Sequence, residues 1–334
     1  MTSPVKKEPL PAPLRVRLRS LHIENYKSVD NLEIEFRGPK LASDPQVTVI
    51  GSENGLGKTS ILECCALLFL SLTDRKDFSE WWSVIDFMHY ADVFIDPFQL
   101  MVRSGAKLAR ISGSFTLDGE EFTVSLTCGQ ERITVEPYNR PKRISSMFEN
   151  SKRIEHREQR VSLFLSLLGI IGEPMIFPPF LYFNSYRKIQ EGSPDLGMMR
   201  TGDRWRRRHG PEFFAPISAF KIEIIRALMG RQGLFESVNE EEAEAVVQQL
   251  NKIIAEYASL AKLRDFEERA VELRINPRGG KSSFPFDGLS SGQKEVISTL
   301  FLIWKYTRKQ PGIVLIDEPE LHLNAEWHRG FVRQ

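Results

Sequence analysis

The chain has 334 residues, 41% of them apolar, which is enough for a sizeable core and, by length, about two domains. Its 45 basic and 44 acidic side chains leave a formal charge of +1, so net charge predicts no polyanion partner and local clusters must carry that argument. Three cysteines, Cys64, Cys65 and Cys128, are too few and too badly spaced for a disulfide framework or a zinc site, and point to a reducing, cytoplasmic setting.

In chain order, residues 1–14 carry charges and prolines where a signal peptide would have an apolar core, and read as a disordered tail. From Leu14 to Phe36 apolar residues alternate with polar ones (Val16, Leu18, Leu21, Ile23, then Leu32, Ile34, Phe36), which predicts two strands with a turn around Lys27–Asn31. "VTVI" at 47–50 predicts a short strand, followed by the glycine-rich "GSENGLGKTS" and a buried helix from Lys58 to Leu72. The apolar run of that helix, Ile61 to Leu72, is broken by Glu63 and Ser71 and falls far short of the ~20 residues of a membrane span, so no membrane association is expected.

Residues 100–127 predict antiparallel strands, with "LDGEE" as the hairpin turn. The middle, 140–270, is charge-rich and mainly helical, with helices expected at 215–230 and 240–268 and one short strand, "FLYF", at Phe180–Phe183. Strands return at "VELRI", and "GIVLI" (Gly312–Ile316) has the continuous apolar composition of a central parallel strand. The expected organisation is a tail (1–14), a first lobe (15–135), a mainly helical insert (136–275) and a closing segment (276–334).

The strand–loop–helix context of "VTVIGSENGLGKTSIL" is what a phosphate-binding loop requires. Gly55 and Gly57 let the backbone curl so that successive N–H groups face the β- and γ-phosphates; Ser52, Glu53, Asn54, Leu56 and Ser60 complete the loop and helix start. Lys58 is the point charge for those phosphates, and the Thr59 hydroxyl is the candidate magnesium ligand. Ser52 stands where the usual spacing has a glycine. In "GIVLIDEPELHLN" the apolar strand ends in Asp317 and Glu318, at the carboxyl end where open α/β sheets bind ligands. Asp317 is a candidate for holding magnesium and Glu318 for polarising the water that attacks the γ-phosphate. "LSSGQ" (Leu289–Gln293) opens another helix, and a helix start favours anions; a plain serine N-cap is the other reading.

Taken together, "LHIENYKSVDNLEIEF", "SENGLGKTS", "LSSGQ" and "LIDEPELHLN" occur in the order found in ABC-type ATPase heads, and the chain resembles the SMC/RecF/OLD class across about residues 16–327. The resemblance implies an α/β head, with a parallel P-loop core, antiparallel flanking strands and an inserted helical lobe. It implies ATP and Mg²⁺ as ligands and ATP hydrolysis as the activity. It also implies a homodimer or higher oligomer in which heads pack head to tail around ATP, Ser290 and Gly292 of one chain reaching the γ-phosphate held by another. Lys27 and Ser28 match the family's opening stretch near the nucleotide, an exposed turn being the other reading. Asn184 after "FLYF" takes the place of a Q-loop ligand to magnesium, with Ser185, Gln99 and Gln130 as rivals. The family's switch histidine has no counterpart before Gln334, so the C-terminal strand is expected to be missing from this chain.

"RTGDRWRRRHG" gathers Arg204, Arg206, Arg207 and Arg208 around Trp205, a pattern suited to phosphate forks and base stacking, so DNA or RNA is a candidate partner; a solvated loop or an acidic protein partner is the alternative. Within the class, the motifs resemble an anti-phage defence ATPase with a nuclease effector, with a RecF-like repair clamp and a nucleotide-locked scaffold of little turnover as alternatives.

Overall fold

The computed structural model describes residues 16–38, 46–51, 56–72, 100–129, 133–136, 175–177, 180–185, 220, 221, 224, 240–257, 261–263, 273–275, 282–308 and 312–319. The chain divides into two compact units. The first comprises Met1–Ile171, Met175–Tyr182 and Thr307–Asp317; the second comprises Gly172–Pro174, Phe183–Tyr306 and Glu318–Gln334.

The first unit is built on an antiparallel sheet of β1 (Val16–Tyr26), β2 (Val29–Glu35), β3 (Leu108–Leu117), β4 (Glu120–Gly129) and β5 (Ile133–Glu136), in the order β2-β1-β3-β4-β5. The predicted hairpins are present: Lys27 and Ser28 turn β1 into β2, and Asp118 and Gly119 turn β3 into β4. β1 explains a break in the apolar alternation. Its register against β3 slips between Leu18 and Ser20, a bulge, so Leu18 and Leu21 are both buried despite their spacing of three. Asn25, in the left-handed region with φ 54°, shifts the alternation again, and Tyr26 also turns inward.

Helix α1 (Lys58–Ser71) lies on this sheet and buries Ile61 and Cys64 to Leu70 in one core with Leu21, Ile23, Ile111, Phe115 and Leu126. Gly113 of β3 permits the close approach, since a Cβ there would stand 2.7 Å from Leu68 Cδ1 and 3.0 Å from the Ser20 carbonyl oxygen. Phe69 stacks on Phe180 at 4.7 Å and meets Phe115 edge-on at 5.1 Å. Phe180 belongs to β7 (Phe180–Phe183), the predicted "FLYF" strand, which pairs antiparallel with β6 (Met175–Phe177) and hydrogen-bonds with β11 (Ile313–Ile316) on its other side.

In the second unit α2 (Glu240–Tyr257) precedes a small sheet of β8 (Ala261–Leu263), β9 (Leu273–Ile275) and β10 (Phe284–Pro285), ordered β10-β9-β8. A 3-10 turn, Phe286–Gly288, then leads into α3 (Ser291–Thr307).

Three expectations need correction. Residues 47–50 form no strand: the backbone there pairs with none of the described strands, and Val47 and Val49 are 74% and 86% exposed. Apolar composition favours a strand, but a strand also needs a neighbour. The helix expected over 240–268 ends at Tyr257, because Ala261–Leu263 is recruited as a ladder partner of β9. β11 was read as a central strand, yet among the described residues it stands at the end of its sheet and is only half-buried. An apolar run reports what a strand can bury, not where it sits in the order. The N-terminal tail and the helix at 215–230, apart from helical Phe220, Lys221 and Ile224, lie outside the described residues.

Candidate functional site

In the first unit the phosphate-loop helix begins at Gly57, whose φ of 88° suits glycine alone. A Cβ at Gly57 would stand 2.8 Å from Val29 Cγ2 and 2.9 Å from Ser28 Oγ, so the β1–β2 turn is seated directly on the helix start. Among the described residues no side chain caps α1. Its first N–H groups are the orphan donors of any helix, and an anion at this end would satisfy them. Lys58 and Thr59 are half-buried in the first turn, and Ser60 is buried.

Thr59 is joined to the far end of the sequence. Its hydroxyl donates to Asp317 Oδ2 at 2.8 Å, so the glycine-loop and strand-end motifs meet in space. Asp317 is buried, directly after β11. Glu318 follows with φ 44°, left-handed backbone that a non-glycine residue holds at a cost of about 1–3 kcal/mol. Such strain is found where a side chain's direction matters more than local comfort.

Glu63, a break in the apolar run of α1, has a role that no sequence motif assigns. It lies one turn beyond Thr59 on α1, buried, and receives two donors from the β1–β2 side. Lys27 Nζ stands 2.7 Å from each carboxylate oxygen, and the Tyr26 hydroxyl donates to Oε2 at 3.2 Å. Burial raises the Glu63 pKa above its ordinary value, and the charge of Asp317 raises it further; Lys27 and the two hydrogen bonds pull the other way without prevailing. Burial raises Tyr26 as well, with the Glu63 charge adding to it. The clue in the sequence was a lone carboxylate in an apolar helix, four residues from Thr59 and so on the same face. Lys27, expected with Ser28 near the nucleotide, pairs with Glu63 of the helix, and Ser28 lies against the loop's last glycine.

In the second unit α3 opens with a reciprocal cap. The Ser290 N–H donates to Gln293 Oε1 at 3.0 Å, and the Gln293 N–H donates to Ser290 Oγ at 3.3 Å. The serine N-cap weighed in the sequence is thus present, and a hydroxyl that accepts one bond keeps its own proton to donate. Ser290 is exposed and Gly292 buried. Asn184, just after β7, is buried. Ser52, Glu53, Asn54 and Gly55, together with Arg204, Arg206, Arg207 and Arg208, lie outside the described residues; Leu56 is exposed. The three cysteines are free and buried. Among the described residues no helix is long and apolar enough to cross a membrane.

Magnesium prefers a few hard oxygen ligands and keeps much of its water, so one hydroxyl and one carboxylate already in contact make a fitting donor set. Thr59 and Asp317 provide that pair.

A glycine-capped helix start, a threonine on a strand-end aspartate and a sheet packed over the helix define a nucleotide-binding head of the P-loop kind. A family model described as an AAA domain (AAA_23) matches residues 20–274, and the chain belongs to that family. This membership supports the sequence resemblance to an ABC-type ATPase head of the SMC/RecF/OLD class; the signature and Asp317 lie beyond the matched span.

Several curated relatives match in part, PtuA and RecF proteins among them. Septu protein PtuA of Bacillus mycoides (strain KBAB4) is 25% identical over 167 residues, 49% of this chain and 20% of that protein. The DNA replication and repair protein RecF of Listeria welshimeri is 36% identical over 70 residues, 20% of this chain and 17% of that protein. The matched segments therefore span a fifth or less of the relatives' own length. Among solved structures, the recombination mediator RecF with ATP gives a TM-score of 0.44 at 14% identity, covering 96% of this chain and 91% of that one. The SMC head domain of Thermotoga maritima gives 0.38 at 15%, covering 95% and 82%. Likenesses this distant carry no functional argument.

Proposed function

We propose that the chain binds and hydrolyses ATP, and that nucleotide-driven pairing of two such heads controls a nucleic-acid-related or anti-phage defence assembly with a nuclease effector. The observation that carries the hydrolytic part is the Thr59–Asp317 hydrogen bond, which brings two motifs 258 residues apart to one place. Family membership and the partial likeness to RecF and PtuA support the wider context.

In this reading Lys58 and the N–H groups at the start of α1 bind the β- and γ-phosphates. Thr59 and Asp317 would hold the magnesium ion, which when bound supplies charge neutralisation on the phosphate oxygens. Glu318 orients the attacking water and accepts its proton on the carboxylate, positioning of the kind that phosphoryl transfer chiefly demands. Lys27 and Glu63 keep the β1–β2 turn on the loop, so that Ser28 borders the bound nucleotide. The start of α3, with Ser290 and Gly292, completes the site of a second chain. Arg204, Arg206, Arg207 and Arg208 are the proposed nucleic-acid contact.

The test is turnover by purified full-length protein with magnesium and ATP. Glu318→Gln should keep ATP binding, lose hydrolysis and accumulate a dimer on size exclusion with ATP. Hydrolysis at the wild-type rate in that variant would remove Glu318 as the base. Asp317→Ala should cut turnover about a hundredfold by removing half of the oxygen pair; unchanged magnesium dependence would count against that pair.

A further inference from the structure

The turn that leads into α3 is held from outside its own helix. Phe220, Lys221 and Ile224, helical residues of the second unit, are all buried, Lys221 with 2% of its surface exposed. The Lys221 ammonium pairs with the carboxylate of Asp287, 66 residues further on in the 3-10 turn. Lys294, in the first turn of α3, donates from Nζ to the Asp287 carbonyl oxygen at 2.9 Å. Asp287 is thus gripped at its carboxylate by one helix and at its backbone by the helix it precedes.

The surroundings are aromatic. Phe220 packs 5.5 Å from Phe286 and 5.4 Å from Phe301, ring centre to ring centre, and Lys221 Nζ lies 5.9 Å from the Phe286 ring. An ammonium is expensive to bury, and its pairing with Asp287 offsets that cost. What the lysine adds that a methionine would not is a fixed direction for Asp287.

We propose that Lys221 is a positioning residue for the start of α3: by holding Asp287 it sets how the Ser290 hydroxyl and the first N–H groups of α3 face a nucleotide phosphate carried by another chain. This rests on the two-chain reading above. Lys221 touches no nucleotide in it, and its loss should leave ATP binding to the phosphate loop intact.

The experiment uses three variants of the full-length protein, Lys58→Ala, Ser290→Arg and Lys221→Met, assayed alone and in one-to-one mixtures after subunit exchange. Lys221→Met alone should lower kcat about tenfold or more, as loss of a supporting residue does, with ATP affinity and KM within about twofold of wild type. Its melting temperature should fall, because Asp287 keeps its charge and loses its partner, so the KM-against-kcat split and the mixtures, not stability, separate positioning from a purely structural role. Lys58→Ala mixed with Ser290→Arg should recover about a quarter of wild-type turnover, the share of sites free of both lesions in randomly exchanged pairs. No recovery there overturns the two-chain reading itself, and this proposal with it. Given that recovery, Lys221→Met should regain activity with Lys58→Ala, yet with Ser290→Arg show no gain over the average of the separate chains. Wild-type kcat in Lys221→Met, or a gain with Ser290→Arg, overturns the role of Lys221 while leaving the two-chain reading standing. If Lys221→Met does not fold, the double replacement of Lys221→Met with Asp287→Leu takes its place in the same mixtures, since it removes both charges of the pair together.

Discussion

The two helix starts proposed to meet phosphate are finished by opposite means. α1 begins at a left-handed glycine with no side-chain cap, while α3 is closed by its own Ser290–Gln293 exchange and braced by Lys221 and Lys294 around Asp287. A helix start without a side-chain cap is one that an anionic ligand can complete. At the second start the Ser290 and Gln293 N–H groups are already bonded, so an anion there must share Ser290 with the helix. An uncapped start is adaptable and gains most from its ligand; a self-capped start is rigid and suited to being presented to another surface.

Replacement of the two capping residues tests that contrast. Gly57→Ala combines a φ of 88° with a Cβ placed 2.8 Å from Val29, and should cost roughly 3 kcal/mol in chemical denaturation. Ser290→Ala only removes a cap and should cost about 1 kcal/mol. Equal costs would mean that α1 is not more strictly determined at its start than α3.

Both starts were visible in the sequence as small residues ahead of an apolar helix, and so were β1 to β4, whose alternation and turn residues are local signals. The braces were not visible. Lys221 and Asp287 lie 66 residues apart, and nothing near either names the other. Glu63 was noticed as a break in an apolar helix, but only the fold supplies Lys27 and Tyr26 to explain it. The Thr59–Asp317 contact was within reach because each motif implies the other, whereas the strand expected at 47–50 failed because local composition cannot show whether a neighbour is present.

A smaller effect probes how the first unit compensates for having no cap. If the Lys27–Glu63 pair holds the turn on α1, Lys27→Met should destabilise the protein by about 1–2 kcal/mol near neutral pH, the exposure of Lys27 moderating the loss. The sign with pH follows from Glu63. Its pKa in the fold is raised above the ordinary 4.5, so its contribution is intact below that value and is lost as pH rises through the folded one. Loss of Lys27 raises the folded value further. The gap between variant and wild type should therefore be smallest in acid and open as pH rises past the wild-type folded value, as measured by urea midpoints across pH. A gap independent of pH would show that Lys27 acts by packing alone.

The smallest effect is chemical. Burial pushes Cys65 and Cys128 up to about 12 and Cys64 well above its usual value. At about pH 8 a thiol of that kind is ionised in roughly one molecule in ten thousand. Iodoacetamide should leave all three cysteines of the native protein unlabelled and label all three in urea, as counted by intact mass. Rapid native labelling would mean that the core beneath α1 opens more readily than its packing implies.

The pairing of Thr59 with Asp317 also sets an order of events during synthesis. The last piece of the first unit, Thr307–Asp317, leaves the ribosome only after residues 183–306 of the second unit have been made. At roughly 5–20 residues per second, that interval is on the order of ten seconds. Through it the nascent chain carries a phosphate loop whose threonine still has no aspartate, and β7 still lacks β11 beside it. Assembly of the site is thereby tied to synthesis through Asp317, so a ribosome that stalls before it releases a polypeptide without the Thr59–Asp317 pair.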